Sequence, residues 1–162
     1  YAALGMRPDI AFIVSYLARF SNDPKQAHWT AVKRVFKYLS STETLGITYR
    51  CGKGNLICFS DADHGRDTES RKSILGFMLL FGGAPVGWNS TKQTRVATST
   101  AVAEYLAACT ACVDVLWARQ LLFELGREQL DPTKILVDNQ AAIILVVNQQ
   151  VHSKTKHIEV VL

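Results

Sequence analysis

ICFSDADHGRD, residues 57–67, is the stretch on which the fold turns. Its apolar start, Ile57-Cys58-Phe59, gives way to Asp61 and Asp63, one residue apart, and then to His64, Gly65 and further charge. The run reads as a strand that carries carboxylates at its buried end. An ionised side chain in a dry interior is costly unless it is paired, hydrogen-bonded or set against a metal. Asp61 therefore needs a partner that the rest of the chain must supply.

Around this strand the pattern predicts several more elements. NLICFSDA, SILGFMLLFGG and APVGWNS read as strands, with Gly82-Gly83 as a hairpin turn. A strand is also expected at LGITYR (45–50) and a short one near TRVAT (94–98). Residues 98–100 offer caps for a long helix running to about Leu125, where Gly126 stops it. KILVD (134–138) predicts a short strand and NQAAIILVVN (139–148) a helix with Asn139 near its start. Upstream, PDIAFIVSYLARF and DPKQAHWTAVKRVFKYL have apolar residues at helical spacing, and Asp23-Pro24 reads as a helix start. Strands in succession followed by helix, strand and helix predict an α/β domain: a mixed sheet with flanking helices, preceded by a helical segment.

The acids fall in a pattern. Glu104 is followed at plus three, plus four and plus seven by Ala107, Ala108 and Ala111, a stripe of small residues that lets a helix lie close to a sheet. Its carboxylate should run along the sheet rather than into bulk water. Asp138 ends KILVD, and the carboxyl end of a strand feeding a helix is where open α/β sheets place their sites. Asp61, Glu104 and Asp138 thus converge on one end of one sheet. Mutual repulsion among three carboxylates calls for cations, and Mg²⁺ suits an all-oxygen donor set. Each acid alone could equally be a cap or a surface residue, and Asp63 either joins them or faces solvent.

Other features carry two readings each. Lys33, Arg34 and Lys37, beside His28, Trp29 and Tyr38, suit a phosphate backbone or make a solvated helix face. Residues 1–50 hold seven Lys/Arg against three Asp/Glu, while the remainder holds eleven of each, so the net +4 is all N-terminal. Cys109/Cys112 has metal or redox spacing, but without a matching second pair small core thiols are the simpler account, with Cys51 and Cys58 alongside. HSKTKH (152–157) reads as a basic surface turn rather than a zinc site.

Length and composition, 162 residues with 48% hydrophobic and 20% charged, suit one compact domain or a domain with a fragment of its neighbour. No run reads as a membrane span and no signal pattern opens the chain, so no membrane partner and no secretion are expected. The chain lacks a starting Met and stops in KHIEVVL without turn residues, which reads as a piece of a longer polypeptide.

FSDADHGRD, GGAPVGWNSTKQ, STAVAEYLAA, LVDNQAAI and HSKTKHIE, in this order, resemble the ribonuclease H region of copia-type LTR retrotransposon Pol polyproteins. MRPDIAFIVSYLARF and HWTAVKRVFKYLSSTETLGITY resemble the connection segment that joins the reverse transcriptase to it. The resemblance implies an RNase H-like fold in residues 51–162, incomplete at its C-terminus, with a helical connection segment in residues 1–50. It implies cleavage of the RNA strand of RNA–DNA hybrids with two Mg²⁺ ions, for which Mn²⁺ can substitute, and with the rest of the Pol polyprotein, reverse transcriptase included, as partner. The expected location is the element's particle in the cytoplasm, or the nucleus.

Asp61, Glu104 and Asp138 match the first three catalytic carboxylates of that family. Gln140 matches a residue set against the hybrid's backbone, with Asn139 its neighbour, both suited to 2′-hydroxyl contacts. Val102 stands where relatives often have a further acid. Relatives continue to a last strand and a fourth aspartate; Glu159 is read as lying in a helix before that strand, so an isolated piece of this length is expected to cleave poorly. A truncated or decayed nucleic-acid-binding remnant is the alternative function. An integrase-like transferase with a similar acid triad is disfavoured by the DNQ and AEY contexts.

Overall fold

Residues 56–63 form strand β1 (Leu56–Asp63) in the computed structural model, and burial alternates along it residue by residue. The structure describes residues 1–50, 54–65, 67 and 70–147, divided into two compact units, Tyr1–Tyr49 and Arg50–Leu162. In the second unit β1 pairs antiparallel with β2 (Ile74–Phe81), and β2 pairs antiparallel with β3 (Ala84–Lys92). Gly82 and Gly83, at φ 61° and 80°, make the two-residue turn between β2 and β3, a conformation that other residues adopt only under strain. On its other edge β1 pairs in parallel with the short β4 (Lys134–Leu136). The order β3-β2-β1-β4 makes a mixed, open four-stranded sheet, and with its flanking helices the unit is α/β and consistent with an RNase H-like fold.

One face of that sheet is covered by α4 (Thr100–Glu124). Ser99 caps it by accepting a hydrogen bond from the Val102 N–H at 3.3 Å, and Gly126, at φ 70°, follows its end. Its small residues meet the inward side chains of the strands: Ala111, Val115 and Ala118 pack with Leu56, Cys58, Phe77 and Leu79. Nearer the helix start, Ala103 and Ala107 pack with Ala62 and Leu75. α4 is long and apolar enough by composition to cross a membrane, contrary to the reading of the sequence, but its alanine face forms this core. Last among the described elements is α5 (Gln140–Val147), which packs on α4.

Two expected strands are absent. LGITYR is irregular and joins no ladder among the described strands. Around TRVAT the chain leaves the sheet at Gln93, whose N–H donates to the Ser73 carbonyl at 2.8 Å while its side-chain Nε2 donates to the Ala103 carbonyl at 3.0 Å. These bonds tie the segment to the start of α4 instead.

The first unit contains α1 (Ala2–Gly5), a 3₁₀ turn (Pro8–Ile10), α2 (Ala11–Ala18) and α3 (Gln26–Ser41). Its fixed point is Arg7, which pairs with Asp9 at 2.8 Å and donates to Thr42 Oγ1 at 2.7 Å. The Arg7 hydrogen bond, helped by one from the Tyr38 hydroxyl, lowers the Asp9 pKa to about 2. Phe12, Tyr16, Phe20 and His28 form a run of ring contacts, closing at 3.9 Å between Phe20 and His28. α3 starts at Gln26 rather than at Asp23-Pro24, because His28 Nδ1 accepts the Lys25 N–H at 3.1 Å and fixes the first turn there.

Candidate metal centre

Asp61, Glu104 and Asp138 each offer a carboxylate oxygen, and these atoms all lie within 4.8 Å of one another. Three elements bring them together. Asp61 stands on the outward side of β1, opposite the side packed on α4. Glu104 stands in the first turns of α4, next to the fully buried Ala103 and Ala107. Asp138 lies two residues past the end of β4, in the bend before α5, rather than within a strand as the sequence suggested.

The buried carboxylate is not the one that the strand pattern indicated. Asp61 and Asp138 are exposed, whereas Glu104 is 3% exposed. Burial raises the Glu104 pKa to about 7, with the negative charges of Asp61 and Asp138 pushing the same way, against one backbone hydrogen bond from Ala62 that favours the ionised form. Glu104 Oε2 is buried without a hydrogen-bond partner. An orphaned oxygen of this kind beside two further carboxylates needs either a proton or a cation. The donor set is oxygen only, which fits hard divalent ions such as Mg²⁺ and offers nothing to metals that prefer thiolate or imidazole.

The backbone explains how a helix residue meets two strand ends. β4 pairs with β1 only from Ile57 to Phe59, so among the described residues no strand borders this edge of β1 beyond Phe59. The Ala62 N–H on that edge favours the ionised form of the Glu104 carboxylate. At the other end of the short ladder the Leu56 N–H is taken by a side chain, Gln129 Oε1, at 3.1 Å. No side-chain pattern announces the role of Ala62, because what it contributes is a backbone donor.

The remaining candidates fall elsewhere. Asp63 shares the outward face with Asp61 but is not one of the three converging acids. Asn139 Oδ1 accepts the Ala142 N–H at 3.1 Å and so caps α5. Gln140, the first residue of α5, is exposed. Lys33, Arg34 and Lys37 are exposed on α3 in the first unit. Cys58 is fully buried and its thiol is raised to about 11 by burial, and Cys109 is half-buried, but Cys112 is exposed and is not the small core thiol expected of it. Asp67 is held well below the usual carboxylate range by the backbone and side chain of Ser70, with Lys92 at 3.3 Å, and this anchors the loop between β1 and β2. Cys51, HSKTKH and Glu159 lie outside the described residues.

Among known proteins, the chain is 38% identical over 160 residues, 99% of its length, to the retrovirus-related Pol polyprotein from transposon TNT 1-94 of Nicotiana tabacum. It is 37% identical over 155 residues, 94% of its length, to the Pol polyprotein from transposon RE2 of Arabidopsis thaliana. These alignments cover 12% and 10% of the two relatives, so the chain spans about a tenth of their length. A shorter relative, the secreted RxLR effector protein 161 of Plasmopara viticola, is 42% identical over 118 residues, 72% of this chain and 83% of that protein. No family model and no solved structure matches.

Proposed function

We propose that this chain, similar over nearly all its length to retrovirus-related Pol polyproteins of plant transposons, carries in its second unit a ribonuclease H that cleaves the RNA strand of RNA–DNA hybrids. The observation that carries the reading is the convergence of Asp61, Glu104 and Asp138 within 4.8 Å around a buried, orphaned oxygen. These three residues would hold two divalent cations, Mg²⁺ or in its place Mn²⁺. When bound, such ions activate water and offset the charge that develops on a scissile phosphate.

The chain's own residues set the conditions for that chemistry. Glu104 is oriented by the Ala62 N–H and kept dry by Ala103 and Ala107, so it is the inner ligand. Asp61 and Asp138 face outward and leave the site open to a large polyanionic substrate. Gln140 follows Asp138 closely and presents its amide to the backbone or 2′-hydroxyls of a bound hybrid, while Asn139 holds the helix that carries it. Lys33, Arg34 and Lys37, exposed on α3 of the first unit, suit phosphate contacts of their own. In this reading the chain works as part of a Pol polyprotein beside its reverse transcriptase, within the element's particle in the cytoplasm.

The test is a gel assay with a labelled RNA–DNA hybrid in Mg²⁺. Cleavage of the RNA strand by a Pol polyprotein that carries this sequence, lost in Asp138→Asn while the 162-residue variant keeps an unchanged circular dichroism spectrum, is the expected result. Cleavage by the variant within about tenfold of wild type would overturn the assignment. A folded wild-type polyprotein that binds the hybrid without cutting it would favour the remnant reading instead.

A further inference from the structure

We propose that the outer face of α3 is a binding platform for single-stranded nucleic acid, with Trp29 and Phe36 stacking on bases and Lys33, Arg34 and Lys37 contacting phosphates. This goes beyond hybrid cleavage and does not depend on the carboxylates.

On a helical wheel, Phe36, Trp29, Ser40, Lys33, Lys37 and Arg34 follow one another around a single arc, while Ala31, Val32, Val35 and Leu39 occupy the opposite side. That opposite side is the half-buried one. Trp29 is 56% exposed and Phe36 67% exposed, an unusual display for two large rings a single heptad apart. The neighbouring aromatic groups are already engaged: His28 stacks on Phe20 and caps the helix start, and the Tyr38 hydroxyl donates to Asp9 at 2.8 Å. Trp29 and Phe36 are thus the rings of this helix left facing outward.

Charge identifies the occupant. α3 contains Lys33, Arg34 and Lys37 and no acidic residue, and Asp9, one of three acids before Arg50, is consumed by Arg7 and Tyr38. A face with three cations and two exposed rings complements a polyanion whose monomers carry flat apolar surfaces. A duplex keeps its bases stacked on one another and offers the rings nothing, whereas a single strand can lay bases on them. Seven residues of helix separate Trp29 from Phe36, about 10 Å along the axis. That distance is close to three base steps of about 3.4 Å.

Binding of the full chain to a fluorescein-labelled oligothymidylate of about 15 nucleotides, followed by anisotropy in EDTA, tests the proposal without any cleavage. Trp29→Ala and Phe36→Ala are each expected to weaken binding about tenfold, and to leave affinity for an RNA–DNA hybrid of equal length within about twofold. Lys33→Gln together with Lys37→Gln is expected to flatten the salt dependence by about 0.7 in log–log slope per lysine. Both rings are exposed, so loss of folding is not expected, and unchanged circular dichroism checks it. Wild-type affinity in the two aromatic variants, or no binding by the wild-type chain at about 50 mM salt, would overturn the platform. The second result would point to a protein surface as the cover for these rings.

Discussion

Glu104→Gln should stabilise the metal-free protein, and only above acidic pH. The substitution keeps shape and volume, and leaves an oxygen to accept the Ala62 N–H. It removes the ability to carry a charge in a site that penalises one. Burial, with Asp61 and Asp138 nearby, raises the Glu104 pKa from an ordinary 4.5 to about 7. The folded state therefore holds a proton that the unfolded state has released between these values, so stability falls as pH rises through that window. Below the unfolded value both states are protonated and no penalty exists. Above the folded value the full penalty applies, about 3 kcal/mol for a shift of roughly two and a half units at 1.36 kcal/mol each. Urea denaturation of both proteins in EDTA from about pH 4.5 to 8.5 reads the difference directly. Other titrating groups, such as Asp9 and Asp67, cancel in the comparison because they are common to both chains and distant from the change. The variant's advantage should grow from near zero at the acid end to its full value at the alkaline end. Parallel curves with a constant offset would refute the buried, charge-coupled glutamate.

Removing the penalty with metal should have the same sign. Millimolar Mg²⁺ is expected to raise the thermal midpoint of the wild-type chain more at pH 8 than at pH 5.5, in ~10 mM steps of ion, and to do little for Glu104→Gln; equal shifts in both proteins would separate ion binding from Glu104. Asn139→Ala should cost about 1 kcal/mol through the lost cap of α5, with Asn139→Asp restoring most of it; a chemical denaturation series distinguishes the cap from a substrate contact, which would leave stability unchanged. Ala107→Leu should destabilise by about 1–3 kcal/mol or more, because the helix stands too close to Ala62 and Leu75 for a larger side chain; an unchanged thermal midpoint would show that the sheet can retreat.

Much of the second unit was legible because its periods are clean. The β1 alternation, the Gly82-Gly83 turn and the alanine stripe each translate a spacing into one geometry, and together they fix a sheet with one helix-covered face. LGITYR failed for a different reason. Its Leu, Ile and Tyr alternate as a strand requires, but a strand is completed by a partner, and that information is not local. TRVAT failed because Gln93 directs its hydrogen bonds to Ser73 and Ala103, contacts that no propensity contains. On α3, the proposed nucleic-acid face rests on which aromatic groups are spent internally. Only tertiary contacts show that His28 and Tyr38 are occupied and that Trp29 and Phe36 are not buried.

Carboxylates on a strand amid apolar residues prompted the search for partners, and the structure relocates the burden. β1 does not bury Asp61: alternation turns it outward, together with Phe59 and Asp63, while Ser60 and Ala62 face α4. The sheet instead stops short on one edge. With β4 ending at Leu136, no described strand pairs with the Ala62 edge of β1, and α4 comes close enough, through Ala103 and Ala107, for the Ala62 N–H to favour an ionised Glu104. An outward acid on β1, an outward acid after β4 and an inward acid from α4 then meet at the place where the ladder ends. A longer β4 would pair Ala62 and displace Glu104, and a bulkier helix face would hold it away. Thus the shortness of one strand and the smallness of two alanines, neither of them chemically functional, are what allow three acids to share a site.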